Sequence, residues 1–420
     1  MKRIFISLFF FAFMWTAAGA DASPELLFVR WPANPDAVWY SFRIVPVTQH
    51  FGRKEMRPPI YEDGHVFRDS VMIEKEITDS YDGPGILCCQ VKAIGLDGQS
   101  ISAYSAPVPM EKAAQEMERY APKIRVKYHE QNGTVLLYPA YSFVKIPYAV
   151  SYEVEITDEE PENPDGCEPS VHRISQGVVT IPELFDESPR QGTVWWRVRG
   201  LDENGGPVGV WSEAEKIVND PAENWETGIL GDSISHGGGR MSYSPADWPY
   251  NYAYYLDFPT INMSRSGDKT EDLLRRFDAD VLPFHVQYLL IMGGTNNLRS
   301  GETAEEVIAD LEALQEKCRA NDIKPVLLTI PPIAPERILK YYHQPTAENW
   351  KAEFDKVNGW IRTQTHIDTA APFAMYEDMP ENLAADGLHP DKEAKEKMGK
   401  IINEKFSEIR KKISETKIQK

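Results

Sequence analysis

The sequence predicts a multidomain protein: two β-sandwich domains over residues 24–112 and 121–218, then a three-layer α/β/α domain with a parallel sheet over residues 225–420. Three observations carry this reading. A stretch of about a hundred residues occurs twice, which identifies a repeated structural unit. From Trp225 onward, unbroken apolar runs alternate with amphipathic segments. Four short motifs rich in Gly, Ser and Asn lie just beyond those runs or ahead of the closing helix.

The repeat is explicit. Trp31-Pro32-Ala33 returns as Tyr138-Pro139-Ala140 at an offset of 107. Ala37 to Ile44 returns as Ala149 to Ile156 at an offset of 112, so the second copy carries five additional residues between the two strands. Lys92, Ile94, Asp97-Gly98 and Tyr104-Ser105 match Arg199, Leu201, Asn204-Gly205 and Trp211-Ser212, again at 107. Tyr152, Val154 and Ile156 alternate with Glu153 and Glu155, the pattern of a half-buried strand. Gln90 to Ala93 and Arg197 to Gly200 each lead through Asp-Gly or Asn-Gly into a further strand, as in a hairpin. By this strand pattern and shared ending, the two units resemble fibronectin type III modules. Met110 to Pro122 reads as a short helical linker, and Asn219 to Asn224, with Pro221, contains the second boundary. Cys88-Cys89 occupies the positions of Trp195-Trp196, so the pair reads as packed strand residues rather than a redox switch. Four cysteines are too few for a disulfide scaffold, and no Cys/His spacing suits zinc.

In the third domain, Thr227 to Leu230, Thr260 to Met263, Val286 to Met292, Pro325 to Ile330 and Ile367 to Ala370 read as strands. Thr270 to Phe277, Thr303 to Ala320, Asn349 to Arg362 and Pro390 to Ile413 read as helices, the last with Met398, Ile402, Phe406 and Ile409 on one face. Cys318 falls on the Thr303 helix as a buried residue. Continuous apolar strands alternating with helices require a parallel sheet covered on both faces. Ligands on such a sheet bind beyond the carboxyl ends of the strands.

The four motifs fall there. Gly231-Asp232-Ser233 follows the first strand and presents a hydroxyl at the sheet rim. Gly267, in Ser264-Arg265-Ser266-Gly267, lets its N–H approach a ligand closely. Gly293-Gly294-Thr295-Asn296-Asn297 turns tightly and offers side-chain amides. Asp386-Gly387-Leu388-His389 puts a carboxylate within reach of an imidazole nitrogen, and Pro390 suits a first helical position. Each alone is a common turn or cap; together, in this order and with intervals of 34, 29 and 93 residues, they resemble the four blocks of the SGNH (GDSL) hydrolases. The resemblance covers roughly residues 225 to 415. It implies a serine carboxylic-ester hydrolase with Ser233 as nucleophile, His389 as base and Asp386 as its partner. It also implies an oxyanion hole made of the Ser233 N–H, the Gly267 N–H and the Asn296 side chain, with no metal or organic cofactor. Asn297 departs from the family pattern, which has Asp there. His236-Gly237-Gly238-Gly239 spells the donor loop of a different hydrolase class, but it follows the serine and reads here as a rim loop.

The remaining features bear on location and substrate. Lys2-Arg3, the apolar run Ile4 to Trp15 and Ala18-Gly19-Ala20 have the layout of a signal peptide over residues 1–20, giving a secreted or periplasmic protein with no later membrane span. The formal charge is −19, and loss of Lys2 and Arg3 takes it to −21. Such a surface repels nucleic acid and anionic lipid. Trp248, Tyr250, Tyr252, Tyr254 and Tyr255 follow the nucleophile and either stack on a sugar or pack on the sheet. Export, acidity and the appended β units favour an acetyl ester carried on a carbohydrate. A lipid acyl ester, or a non-catalytic glycan-binding or adhesion role, is the alternative.

Overall fold

The computed structural model describes residues 25–418, apart from residues 35, 51–52, 68, 126–133, 224, 239–244 and 246. The expected leader over residues 1–20, Gly239 and the start of the aromatic segment after Ser233 therefore lie outside the described residues. Among the described residues, no helix is long and apolar enough to cross a membrane.

The N-terminal region is β-rich, as its alternation requires. In the first copy, Trp39–His50 pairs antiparallel with Ile86–Ile94, Phe42 facing Val91 and Ile44 facing Cys89. In the second, Ser151–Thr157 pairs antiparallel with Gly192–Leu201, Val154 facing Val198 and Ile156 facing Trp196. These are the same pairings moved by the two offsets, so the repeat in sequence is a repeat of strand register. Cys88 and Cys89 are buried, with Cys89 among Phe42, Ile44 and Ile73. Burial raises both thiols, Cys89 to about 11.

Two expectations fail here. Met110–Ala113 is a single helical turn, but Ala114–Met117 is extended and pairs antiparallel with Leu26–Val29. The supposed linker thus supplies a strand of the first unit, because an unpaired backbone beside that strand would leave ladder groups unsatisfied. The acidic face of Ser151–Thr157 is also not solvated. Glu155 is fully buried and pairs with Arg197 at 2.8 Å, while Glu153 meets Arg173 at 2.8 Å and Arg199 at 2.6 Å. The Trp211 ring covers Arg197 and Arg199, each 4.6 Å from its centroid. Buried carboxylates persist only when paired in this way.

The C-terminal domain is built on one parallel sheet of six strands: β1 (Val135–Leu136), β2 (Thr227–Gly231), β3 (Ile261–Asn262), β4 (Tyr288–Met292), β5 (Lys324–Leu328) and β6 (His366–Ile367), in the order β1-β3-β2-β4-β5-β6. The strands read in the sequence are all present, with ends shifted by up to three residues. β1 is the exception: it comes from the 121–218 segment, so the boundary near 220 does not separate the two folded parts. Helices α1 (Ser233–His236), α2 (Thr270–Asp280), α3 (Thr295–Arg299), α4 (Ala304–Ala320), α5 (Pro335–Tyr342), α6 (Trp350–Ile361) and α7 (Lys392–Ile418) complete the domain. Thr303 caps α4 in a capping box with Glu306. Helix α7 starts two residues after Pro390, not at it.

Alternate residues of each central strand serve opposite cores. Leu289 and Ile291 face a cluster with Phe277, Leu311, Leu314, Phe354 and Val357. Leu290 and Met292 face one with Tyr252, Met398, Ile402 and Phe406. Both faces are therefore covered, as unbroken apolar strands require. The order reverses between β2 and β4, which opens a crevice at their carboxyl ends.

Candidate active site

Gly231 ends β2 where no side chain fits: an added Cβ would lie 2.6 Å from Met292 O and from Ser235 Oγ. The chain then turns into the single-turn helix α1, whose cap is Asp232, accepting the Ile234 N–H at 2.9 Å. Ser233 is thereby held at the rim, partly exposed. Its Oγ lies 2.9 Å from His389 Nε2. His389 Nδ1 lies 2.8 Å from Asp386 Oδ2. Asp386 is fully buried, and its other oxygen accepts the Leu388 and His389 N–H groups, each at 2.8 Å. The three-residue spacing thus closes a loop in which the backbone orients the carboxylate and the carboxylate orients the imidazole. Burial raises the Asp386 carboxyl, but the His389 ring and the two N–H donors outweigh it and hold the group below its usual range. With Nδ1–H donated to Asp386, Nε2 is left as acceptor for the Ser233 hydroxyl.

The other two motifs meet beside this chain of bonds. Gly267 has φ +90°, a left-handed conformation that favours glycine, and it is exposed with open space where a Cβ would stand. Its loop is tied to β2 by the Arg265 N–H, which donates to Gly231 O at 3.1 Å. Asn296, the second residue of α3, donates from Nδ2 to Asp268 O at 2.9 Å, one residue beyond Gly267. Arg299 Nε, 3.3 Å from Asn296 Oδ1, fixes which end of the amide faces the loop. The structure therefore brings Ser233, His389 and Asp386 together and joins Asn296 to the Gly267 loop.

The departure at Asn297 has a local cause. Its Oδ1 accepts the Thr270 N–H at 3.0 Å, as a carboxylate would. Its Nδ2 donates to Glu271 at 2.9 Å and to Glu302 at 2.6 Å. An Asp at this position would face two carboxylates with no proton to give, so the amide is required by its neighbours.

Three contributors to the site escaped the sequence reading. Tyr342, at the end of α5, donates its hydroxyl to Asp386 Oδ2 at 2.7 Å and lies 3.2 Å from His389 Nδ1. The Pro335 start of α5 signals a helix, but nothing local links it to a residue 44 positions away. Lys395, buried on α7, donates to Ile234 O next to Ser233, and burial lowers it to about 7. His236 is not on a mobile rim as its glycine neighbours suggest; it is 2% exposed and hydrogen-bonded through both ring nitrogens. Of the aromatics after Ser233, Tyr252 is core, its hydroxyl donating to Ser235 Oγ at 2.9 Å. Tyr255 is half-buried and bonds to Pro249 O.

No curated protein matches the chain. Similar solved structures include a GDSL-like lipase from Bacteroides thetaiotaomicron (17% identity, 44% of this chain and 88% of that one, TM-score 0.37). Others are the lipase/acylhydrolase from Enterococcus faecalis (26% identity, 43% and 94%, TM-score 0.35) and a catalytic mutant of an acetylxylan esterase from Geobacillus stearothermophilus (18% identity, 43% and 92%, TM-score 0.33). Residues 229–397, which span Ser233, Gly267, Asn296, Asp386 and His389, match the model of the GDSL-like lipase/acylhydrolase family. The C-terminal part of the chain is a GDSL-like lipase/acylhydrolase domain, and the protein is an ester-hydrolysing enzyme.

Proposed function

We propose that this chain is an exported serine esterase that removes acetyl groups from carbohydrate, and that Ser233, His389 and Asp386 carry the reaction. The observation that supports this most is the continuous pair of bonds from Ser233 Oγ to His389 Nε2 at 2.9 Å and from His389 Nδ1 to Asp386 at 2.8 Å. Ser233 Oγ attacks the ester carbonyl while Nε2 takes its proton. The tetrahedral intermediate collapses, the C–O bond to the alcohol breaks, and Nε2 protonates the departing alkoxide. Water then attacks the acyl-serine, again losing a proton to Nε2, which returns it to Oγ as the acid leaves. Asp386, already ionised and hydrogen-bonded, stabilises the imidazolium in each half. The Ser233 and Gly267 N–H groups and the Asn296 amide are the donors for the oxyanion, and loss of one such donor typically costs about 10²–10³ in kcat.

The substrate class rests on the acidic composition, the leader layout and the two β-rich units, which we read as fibronectin III-like sandwiches. A formally −19 protein disfavours anionic lipid surfaces and tolerates a neutral acetylated glycan. The test is p-nitrophenol release from acetate, butyrate and octanoate esters by the native protein and by Ser233→Ala. Acetate turnover that disappears in the variant supports the reading. Preference for octanoate moves the substrate to lipids, and activity that survives in the variant removes Ser233 from its role.

A further inference from the structure

The edge of the hydrolase sheet is supplied by the preceding β unit, and the residue that follows that edge strand reaches the oxyanion side of the site. The Leu137 N–H donates to Asn262 O at 2.8 Å, extending the β1–β3 ladder by one residue. Tyr138 comes next. Its carbonyl oxygen lies 2.7 Å from His236 Nε2. The other ring nitrogen, Nδ1, accepts the Ser266 N–H at 3.2 Å and lies 3.0 Å from Ser266 Oγ. A backbone N–H only donates, so Nδ1 is the unprotonated nitrogen and Nε2 carries the hydrogen that Tyr138 receives. His236 is thus a neutral bridge of defined tautomer between the β unit and the peptide just ahead of Gly267. Burial supports this neutrality, lowering the imidazole to about 4.

A second set of contacts runs from the same residue. The Tyr138 hydroxyl donates to Asp280 at 2.7 Å. Asp280 also accepts from Arg276 at 2.8 Å, and Arg276 holds Asp268 at 2.6 Å, one residue after Gly267. Gly267 itself is exposed, with no side chain and open space where a Cβ would stand. Its conformation is therefore set by Ser266 and Asp268, and both of these lead back to Tyr138.

We infer that His236 is a positioning residue for the oxyanion loop, and that Tyr138, from the 121–218 segment, is the anchor against which it works. This rests on the esterase reading above. In the resting enzyme His236 touches no reacting atom. It sets where the Gly267 N–H points, a property that matters when the oxyanion forms and little when the ester first binds.

The test uses the full chain and p-nitrophenyl acetate, with native protein, His236→Ala, His236→Gln and Ser233→Ala. Misplacing a group in a site from a distance costs up to about 10²-fold, so His236→Ala should lose about 10- to 10²-fold in kcat with KM changed less than about twofold. His236→Gln carries one amide oxygen for the Ser266 N–H and one amide hydrogen for Tyr138 O, and should recover most of that kcat. A purely structural role would lower the amount of active enzyme; active-site titration by the p-nitrophenol burst separates that from a fall in kcat per site. If His236→Ala keeps native kcat per site, or if KM rises while kcat holds, the proposal is overturned. Turnover surviving in Ser233→Ala overturns the esterase reading and this inference together, whereas a dead Ser233→Ala beside a fully active His236→Ala overturns this inference alone.

Discussion

Replacing Asn297 by the aspartate its family pattern carries is predicted to damage this protein. The acceptor bond from the Thr270 N–H would survive, since a carboxylate oxygen accepts as well as an amide oxygen. The two donor bonds, 2.9 Å to Glu271 and 2.6 Å to Glu302, would become carboxylate–carboxylate contacts. Glu271 is exposed and can turn away into water, so its share is small. Glu302 is half-buried and tethered to Lys269, and Asn297 is buried, so this contact cannot be relieved so easily. A lost hydrogen bond to a charged group is worth about 1.5–3 kcal/mol, and adding the close like charge gives a destabilisation of about 2–4 kcal/mol at pH 8. Urea unfolding of native protein and Asn297→Asp, at pH 8 and at pH 5, measures it. The new carboxyl would have a folded pKa above its unfolded one, so its penalty is full above the folded value and shrinks as pH falls and a proton restores the donor. The gap between the two proteins should narrow at pH 5. Equal stability at pH 8, or a gap that widens in acid, would refute the account of why an amide stands here.

Two further outcomes follow from the same geometry. Tyr342→Phe removes a 2.7 Å bond to Asp386 without changing the ring; a charged hydrogen bond of about 1.5 kcal/mol corresponds to about a tenfold fall in kcat, checked by steady-state kinetics with KM expected to hold. His236 binds its proton at about 4 when folded and at 6.5 when free, so between those values the unfolded chain holds more protons and stability falls as pH falls. The loss is about 3 kcal/mol over that window, and pH-dependent urea unfolding should show it in the native protein and not in His236→Gln.

The parallel architecture was legible because each central strand is an unbroken apolar run with no polar face, a pattern that only a two-sided cover accommodates. The juxtaposition of Asp386 and His389 was legible because both sit on one four-residue loop, where sequence distance is spatial distance. Tyr342 was not, since its contact joins a helix end to a loop through the fold and leaves no mark at either end. His236 was misread because the glycines after it describe the backbone that follows, not the imidazole's own burial. β1 was missed for a simpler reason: a two-residue strand has no period to detect, and its partner lies more than a hundred residues away.

That short strand also determines how the sheet ends. An open edge offers unpaired N–H and C=O groups to any other extended chain. Here the outward carbonyl of Leu136 accepts from the Asn219 side chain at 2.8 Å, and just past the strand the Leu137 carbonyl accepts the Arg190 N–H at 2.8 Å. The ladder therefore runs out into the neighbouring β unit instead of into water. A shortened chain beginning at Trp225 would lack this closure and would present Ile261 and Asn262 as a bare edge, so the two parts are joined by a shared protection against self-association as well as by a peptide bond.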